Sequence, residues 1–190
     1  NTGSNNTAVG TSALFTNTAG SDNTAVGYLS LYYNQTGNNN TAVGRYALVN
    51  VVSGSKNIGI GYTAGDAITT GSNNTIIGDI AGSATLSDTV IIGAGTTERL
   101  RIDGSGRVGI GNTAMSSFTA NSSDNLVVGN GSGSEGITVY SAAQGSVSFA
   151  DGTSGNAAYR GAIEYNHTAD QLAFRTAGTG NQLVIDSSGN

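Results

Sequence analysis

The chain has 190 residues, 30 of them glycine, with no proline or cysteine, 10% charged residues and a formal net charge of −5. The lack of cysteine excludes a disulfide framework and thiolate metal sites, and the acidic balance argues against nucleic-acid binding, which needs a basic footprint. No apolar run approaches the ~20 residues of a membrane-spanning helix, and β-branched clusters recur too regularly for a disordered chain.

From the N-terminus the chain repeats itself. Asn6-Thr7-Ala8-Val9-Gly10, Asn23-Thr24-Ala25-Val26-Gly27 and Asn40-Thr41-Ala42-Val43-Gly44 are identical. Asn57-Ile58-Gly59-Ile60-Gly61 and Asn74-Thr75-Ile76-Ile77-Gly78 continue the series at the same interval of 17 residues. Thr89-Val90-Ile91-Ile92-Gly93 arrives two residues early. Such a period marks a solenoid, in which each repeat buries its core only against its neighbours.

Within each copy the second and fourth residues share one face of a strand. The β-branched pairs Thr7/Val9, Thr24/Val26, Thr41/Val43, Ile58/Ile60 and Thr75/Ile77 are therefore expected to form the inner face. Ala8, Ala25, Ala42 and Gly59, lying between them, would then form a small-residue face open to another chain of a homo-oligomer, with Tyr28, Tyr32, Tyr33 and Tyr46 as further contacts. Asn6, Asn23, Asn40, Asn57 and Asn74 are expected to stack as a ladder. Gly10, Gly27, Gly44, Gly61 and Gly78 supply turn conformations that other residues resist. A second strand is expected at Ala13-Leu14, Ser30-Leu31 and Ala47-Leu48. Gly65 and Gly82 replace the leucine in the next two copies, so the coil must narrow or change there.

After Gly93 the 17-residue period is lost. Glu98 to Gly111 alternates, turns at Asp103-Gly104-Ser105-Gly106 and alternates again, as a hairpin does. Leu183-Val184-Ile185-Asp186 and Gly189 repeat Leu100, Ile102, Asp103 and Gly106 at one constant offset. Further strands are expected near Leu126–Val128, Gly136–Tyr140, Ser146–Ala150, Tyr159–Tyr165 and Gln171–Thr176. The expected fold is all-β: a parallel β-solenoid over residues 1–95, then an antiparallel β-module over 96–190, with the start of another repeat at 181–190. Both ends fall inside repeat motifs, and the chain reads as a piece of a longer protein.

The Asn-Thr-Ala-Val-Gly copies, followed by Ala-Leu or Ser-Leu and then Thr-Gly or Ala-Gly, resemble repeats in the long tail fibres of bacteriophages from aquatic hosts. Glu98–Gly111, Glu135–Tyr140, Phe149–Gly152 and Tyr159–Asp170 resemble segments that commonly accompany them. More loosely, the copies resemble the head repeats of trimeric autotransporter adhesins. The resemblance implies a homotrimeric, rod-like fibre outside the cell, on the virion surface, that serves host attachment. Its expected partners are copies of itself and a host-cell surface glycan or protein, with no nucleic acid and no membrane insertion.

No constellation points to catalysis, a cofactor or a metal. His167 is the one histidine, in a polar stretch that reads as a turn, although a triad with Asp and Ser is the sharper alternative. Asp103-Gly104-Ser105-Gly106 and Asp151-Gly152-Thr153-Ser154-Gly155 lack the alternating carboxylates of a calcium loop. Gly109-Ile110-Gly111 lacks the third glycine and helix of a nucleotide loop. Asn34-Gln35-Thr36 and Asn166-His167-Thr168 match glycosylation acceptors, as an Asn/Thr-rich chain does by chance. The expected function is a fibre shaft segment rather than an enzyme. The alternatives are a bacterial surface adhesin and an ice-binding solenoid built on stacked Thr7, Thr24 and Thr41. A glycan-degrading tailspike is disfavoured for want of paired carboxylates.

Overall fold

A computed structural model describes residues 2–113, 125–129, 137–149, 161–176 and 181–190. The described residues are all-β, and the chain divides into two compact units, Asn1–Gly136 and Ile137–Asn190.

The first unit is a parallel β-solenoid. Its strands are β1 (Thr7–Val9), β2 (Thr24–Val26), β3 (Thr41–Val43), β4 (Ile58–Ile60), β5 (Thr75–Ile77) and β6 (Val90–Ala94). Each pairs in parallel with the next, with Thr7 beside Thr24, Thr24 beside Thr41 and Thr41 beside Ile58. Two columns of unusual backbone bracket the strands. Asn5, Asp22, Asn39, Lys56, Asn73 and Asp88 enter each strand in the left-handed region, with φ between 54° and 61°. Gly10, Gly27, Gly44, Gly61 and Gly78 leave it at φ between 112° and 139°, which a β-carbon would resist.

The second strand expected in each coil does not form. Leu14, Leu31 and Leu48 take φ of 51°, 48° and 52°, which breaks an extended run. Coil-to-coil hydrogen bonds persist there nonetheless: Leu31 N–H donates to Ala47 O (3.0 Å) and Leu48 N–H to Ala64 O (2.9 Å). Gly65 and Gly82 occupy the same corner in the next two coils at φ of 68° and 76°. The change expected at these glycines is one of core filling. Leu31 and Leu48 fill the early coils, whereas Ile68, Ile76 and Ile91 fill the later ones, all wholly buried.

The sheet does not stop where the 17-residue period does. β6 pairs antiparallel with β7 (Thr97–Ile102), through a bulge at Ile92/Gly93, and β7 pairs antiparallel with β8 (Val108–Ile110). β8 then pairs in parallel with β9 (Leu126–Val128), so the solenoid pairing resumes. Residues 95 and 96, the expected junction of array and module, thus lie at the change from parallel to antiparallel pairing inside one nine-stranded sheet. Asn125-Leu126-Val127-Val128-Gly129 keeps the Asn-to-Gly frame of the early copies, a signal that the strict period of 17 obscured.

The second unit contains a four-stranded antiparallel sheet: β10 (Gln144–Phe149), β11 (Gly161–Asn166), β12 (Gln171–Thr176) and β13 (Leu183–Ile185). Residues 137–140, expected as strand, are irregular, while Gly136, Ala150, Tyr159 and Arg160 lie outside the described residues. The repeated turn is real. Asp103 Oδ1 accepts the N–H groups of Ser105 (3.0 Å) and Arg107 (3.1 Å). Asp186 Oδ1 accepts those of Ser188 (2.9 Å) and Asn190 (3.1 Å) in the same way.

Candidate interaction surface

The orientation of the strands corrects the expected faces. Ala25, Ala42, Ile76 and Ile91 are wholly buried, and a β-carbon at Gly59 would meet Leu48. The middle residue of each strand therefore points into the coil, and Ala25, Ala42 and Gly59 form part of its core rather than a face between chains. Ala8 occupies the same position in β1, the edge strand of the sheet, and is exposed. The reason is volume. The coil is so narrow that opposite a buried leucine only Ala or Gly fits.

The β-branched pairs face outward instead. Val9 is 57% exposed and Ile60 41%, and Val43, Ile77 and Ile92 stand close to the latter. Register carries this column on through Leu100, Ile110 and Val128, because Ile92 pairs with Leu100, Leu100 with Ile110 and Ile110 with Val128. A second column runs Thr7, Thr24, Thr41, Ile58, Thr75, Val90, Ile102, Val108 and Leu126. At about 4.8 Å per strand the two form a mostly apolar stripe roughly 40 Å long.

Beneath the stripe the asparagines do form a ladder, through side chain and main chain together. Asn23 N–H donates to Asn6 Oδ1, Asn40 N–H to Asn23 Oδ1 and Asn57 N–H to Asn40 Oδ1, each at 2.9 Å. Their Nδ2 groups donate to the glycine carbonyls of the next coil: Asn23 to Gly37 (2.8 Å), Asn40 to Gly54 (2.9 Å) and Asn57 to Gly71 (2.9 Å). Buried amides are thereby satisfied at both ends. A second, shorter ladder has no regular sequence signal, because its column holds asparagine only at Asn17 and Asn34. Asn34 Nδ2 donates to Asn17 Oδ1 at 2.8 Å, and the column then changes to Val51. Asn34 is wholly buried, which removes it as a glycosylation acceptor in the folded chain.

On the outer side of the coil corners, Tyr28, Arg45 and Tyr62 occupy equivalent positions in three successive coils, with Tyr46 alongside. The Arg45 guanidinium carbon sits 4.1 Å from the Tyr46 ring centre, 5.6 Å from Tyr28 and 5.5 Å from Tyr62. Arg45 also donates to the hydroxyls of Tyr62 (3.0 Å) and Tyr46 (3.1 Å). Cation and rings hold one another in place. Phe15 and Tyr32 stack at 5.4 Å on neighbouring coils, with Tyr33 edge-on to Tyr32.

The second unit also leaves a sheet face open. Val147, Ile163, Phe174 and Leu183 lie in register across its four strands, and all are exposed. His167 stands at the edge of this face, edge-on to Tyr165 at 4.9 Å, in the turn expected for it. A hollow of about 200 Å³ lies there, lined by Val147, Ile163, Tyr165, His167 and Leu172 among others. On the opposite face Arg175 Nη2 lies 2.7 Å from the buried Glu164 carboxylate, an ion-pair contact without hydrogen-bond alignment.

Among the described residues no three His, Cys, Asp or Glu side chains gather as a metal site, and no helix is long and apolar enough to cross a membrane. Asp151 to Gly155 lies outside the described residues. No family model, curated protein or solved structure matches this chain.

Proposed function

We propose that this chain is a structural shaft segment of a homotrimeric extracellular fibre, of the bacteriophage tail-fibre type, that works in host-cell attachment without catalysing a reaction. The observation that carries the reading is the outward stripe headed by Val9, Val26, Val43, Ile60, Ile77 and Ile92. A soluble chain rarely leaves so continuous an apolar surface uncovered. The stripe repeats at every coil, so the partner that matches it along its whole length is another copy in the same register. Three copies around a common axis would bury it, while the Asn ladder from Asn6 to Asn74 and the parallel pairing from β1 to β6 run along the array. The open apolar face of the second unit supports the same reading.

The test is the solution mass by light scattering after size exclusion. A mass near three times 18.9 kDa with elongated elution supports the fibre. A monodisperse monomer at high concentration overturns it. One observation favours ice binding as the second reading: Thr7, Thr24, Thr41 and Thr75 stand outward in one register column, each at least partly exposed to solvent. Thermal hysteresis from a monomer would support that reading over the fibre.

A further inference from the structure

The interval between strands contracts by two residues from β5 to β6. Corner contacts there span 15 residues, as in Ser72 N–H to Ser87 Oγ (3.1 Å) and Asn73 Nδ2 to Asp88 Oδ1 (2.9 Å). The short coil and the hairpin of β6 and β7 leave between them a cavity of about 460 Å³. Ile80 and Leu86 supply its apolar lining, and Asp79, Ser83, Glu98 and Arg101 its polar lining.

Its polar groups are set in place beforehand. Arg101 donates Nε to Glu98 Oε2 (2.8 Å) and Nη2 to Glu98 Oε1 (2.7 Å), a planar two-point pair. Thr63 Oγ1 donates to the Asp79 carboxylate. Thr63 lines the cavity, and its chain neighbour Tyr62, 52% exposed, opens the column that continues through Arg45 and Tyr28. A ligand-sized cavity with converging donors and acceptors thus lies one residue along the chain from Tyr62, the end of a row of aromatic rings held against Arg45.

We propose that this corner binds a neutral oligosaccharide. The half-exposed ring of Tyr62, beside Thr63, offers an electron-rich face to the C–H face of a sugar ring, and the cavity offers carboxylate acceptors and guanidinium donors to hydroxyls that alternate in both roles. Charge narrows the ligand further. Arg101 is already matched to Glu98, so Asp79 leaves the cavity negative, which repels uronate, sialylated and phosphorylated ligands. This inference deepens the attachment reading and rests on it for its biological setting, but not for its geometry.

The test is titration calorimetry of the whole chain against neutral hexose and N-acetylhexosamine oligomers, sialyllactose and oligogalacturonate, with the mass of each sample recorded by light scattering. Saturable binding of a neutral oligomer is expected, weakened at least tenfold by Tyr62→Ala and by Asp79→Asn. Tyr140→Ala, a change at an exposed tyrosine in the other unit, should leave it unaltered. Thr96→Trp fills the cavity without removing a contact, and keeps the question answerable if the other variants melt early. Absence of binding by every neutral oligomer, equal binding of the anionic ones, or binding that survives these changes overturns the proposal. Assembly is read separately from the mass, so a monomer that binds sugar refutes the fibre and not the site.

Discussion

Leu48 occupies the space that a side chain at Gly59 would need: a β-carbon there would lie 2.7 Å from Leu48 Cγ. The two residues belong to successive coils and to opposite sides of the core. They show the rule by which this narrow solenoid is filled, a large side chain at the corner set against a small one in the strand. From β5 onward the rule inverts, with Ile76 in the strand facing Gly65 and Gly82 at the corners. Gly59→Ala should therefore destabilise the chain by about 1–3 kcal/mol through overpacking. Leu48→Ala alone should cost about 2–5 kcal/mol. The double variant should be less destabilised than the sum, because Leu48→Ala makes the room that Gly59→Ala demands. Chemical denaturation of the four proteins measures the coupling, and strict additivity would count against it.

The Asn ladder makes a sharper demand. Asn40→Ala would strip the partner from the Asn57 N–H and from the Gly54 carbonyl, both now satisfied by Asn40. Each buried group left unpaired costs about 1–3 kcal/mol. Hydrogen exchange at the Asn57 amide should accelerate along with the loss of stability. An exposed control on the outer surface, Thr70→Ala, should change stability by less than about 0.5 kcal/mol.

Assembly and folding should separate by strand position. Val43→Arg and Ile60→Arg place a charge on the outward stripe, and are expected to reduce the particle mass while leaving the circular dichroism spectrum of each chain intact. Ala25→Arg would instead force a guanidinium into the wholly buried core, and should unfold the array. Light scattering with circular dichroism distinguishes the two. Intact assembly in both outward variants would show that the stripe is not the interface.

Acid titration should reveal two carboxylates acting in opposite senses. Asp66 is held above its ordinary 3.8 by burial first and by the charge of Asp79 second, which the neighbouring backbone N–H groups only partly offset. The folded chain thus holds a proton that the unfolded chain has released, and this contribution to stability is lost as pH rises through the window above 3.8. Burial also works against the Asp103 charge, but the side chain and N–H of Arg107 and the N–H of Ser105 outweigh it and lower that group. Its stabilisation is present above 3.8 and lost as pH falls through the folded value. Asp66→Asn should raise the melting temperature at pH 7, and the gain should shrink toward zero as pH falls to the ordinary carboxylate range. A gain independent of pH would exclude the charge as its cause.

Much of the fold was legible in the residues themselves. The recurrence of Asn, Gly and β-branched pairs announced the parallel coils, their register and the Asn ladder, because each signal is local and repeats in place. The Asp103 and Asp186 turns were equally plain. Less visible was the return of parallel pairing at β8 and β9, since the antiparallel strand β7 interrupts the count without ending the sheet. The cavity beside Asp79 was invisible, because it arises where a coil two residues short meets a hairpin from further along the chain. Glu98 and Arg101 gave no sequence signal that they would close it.

By itself the sequence determined which side chains share a face: alternation ties Thr41 to Val43 and sets Ala42 apart from both. Which of the two faces points inward was decided only in the tertiary structure. A period of two carries parity but no direction, so small size at Ala42 and Gly59 is consistent with an interface or with a crowded interior. The left-handed entry at Asn39 and Lys56 and the buried leucines resolve it, because a coil closed that tightly has room opposite Leu48 for nothing larger than Gly59.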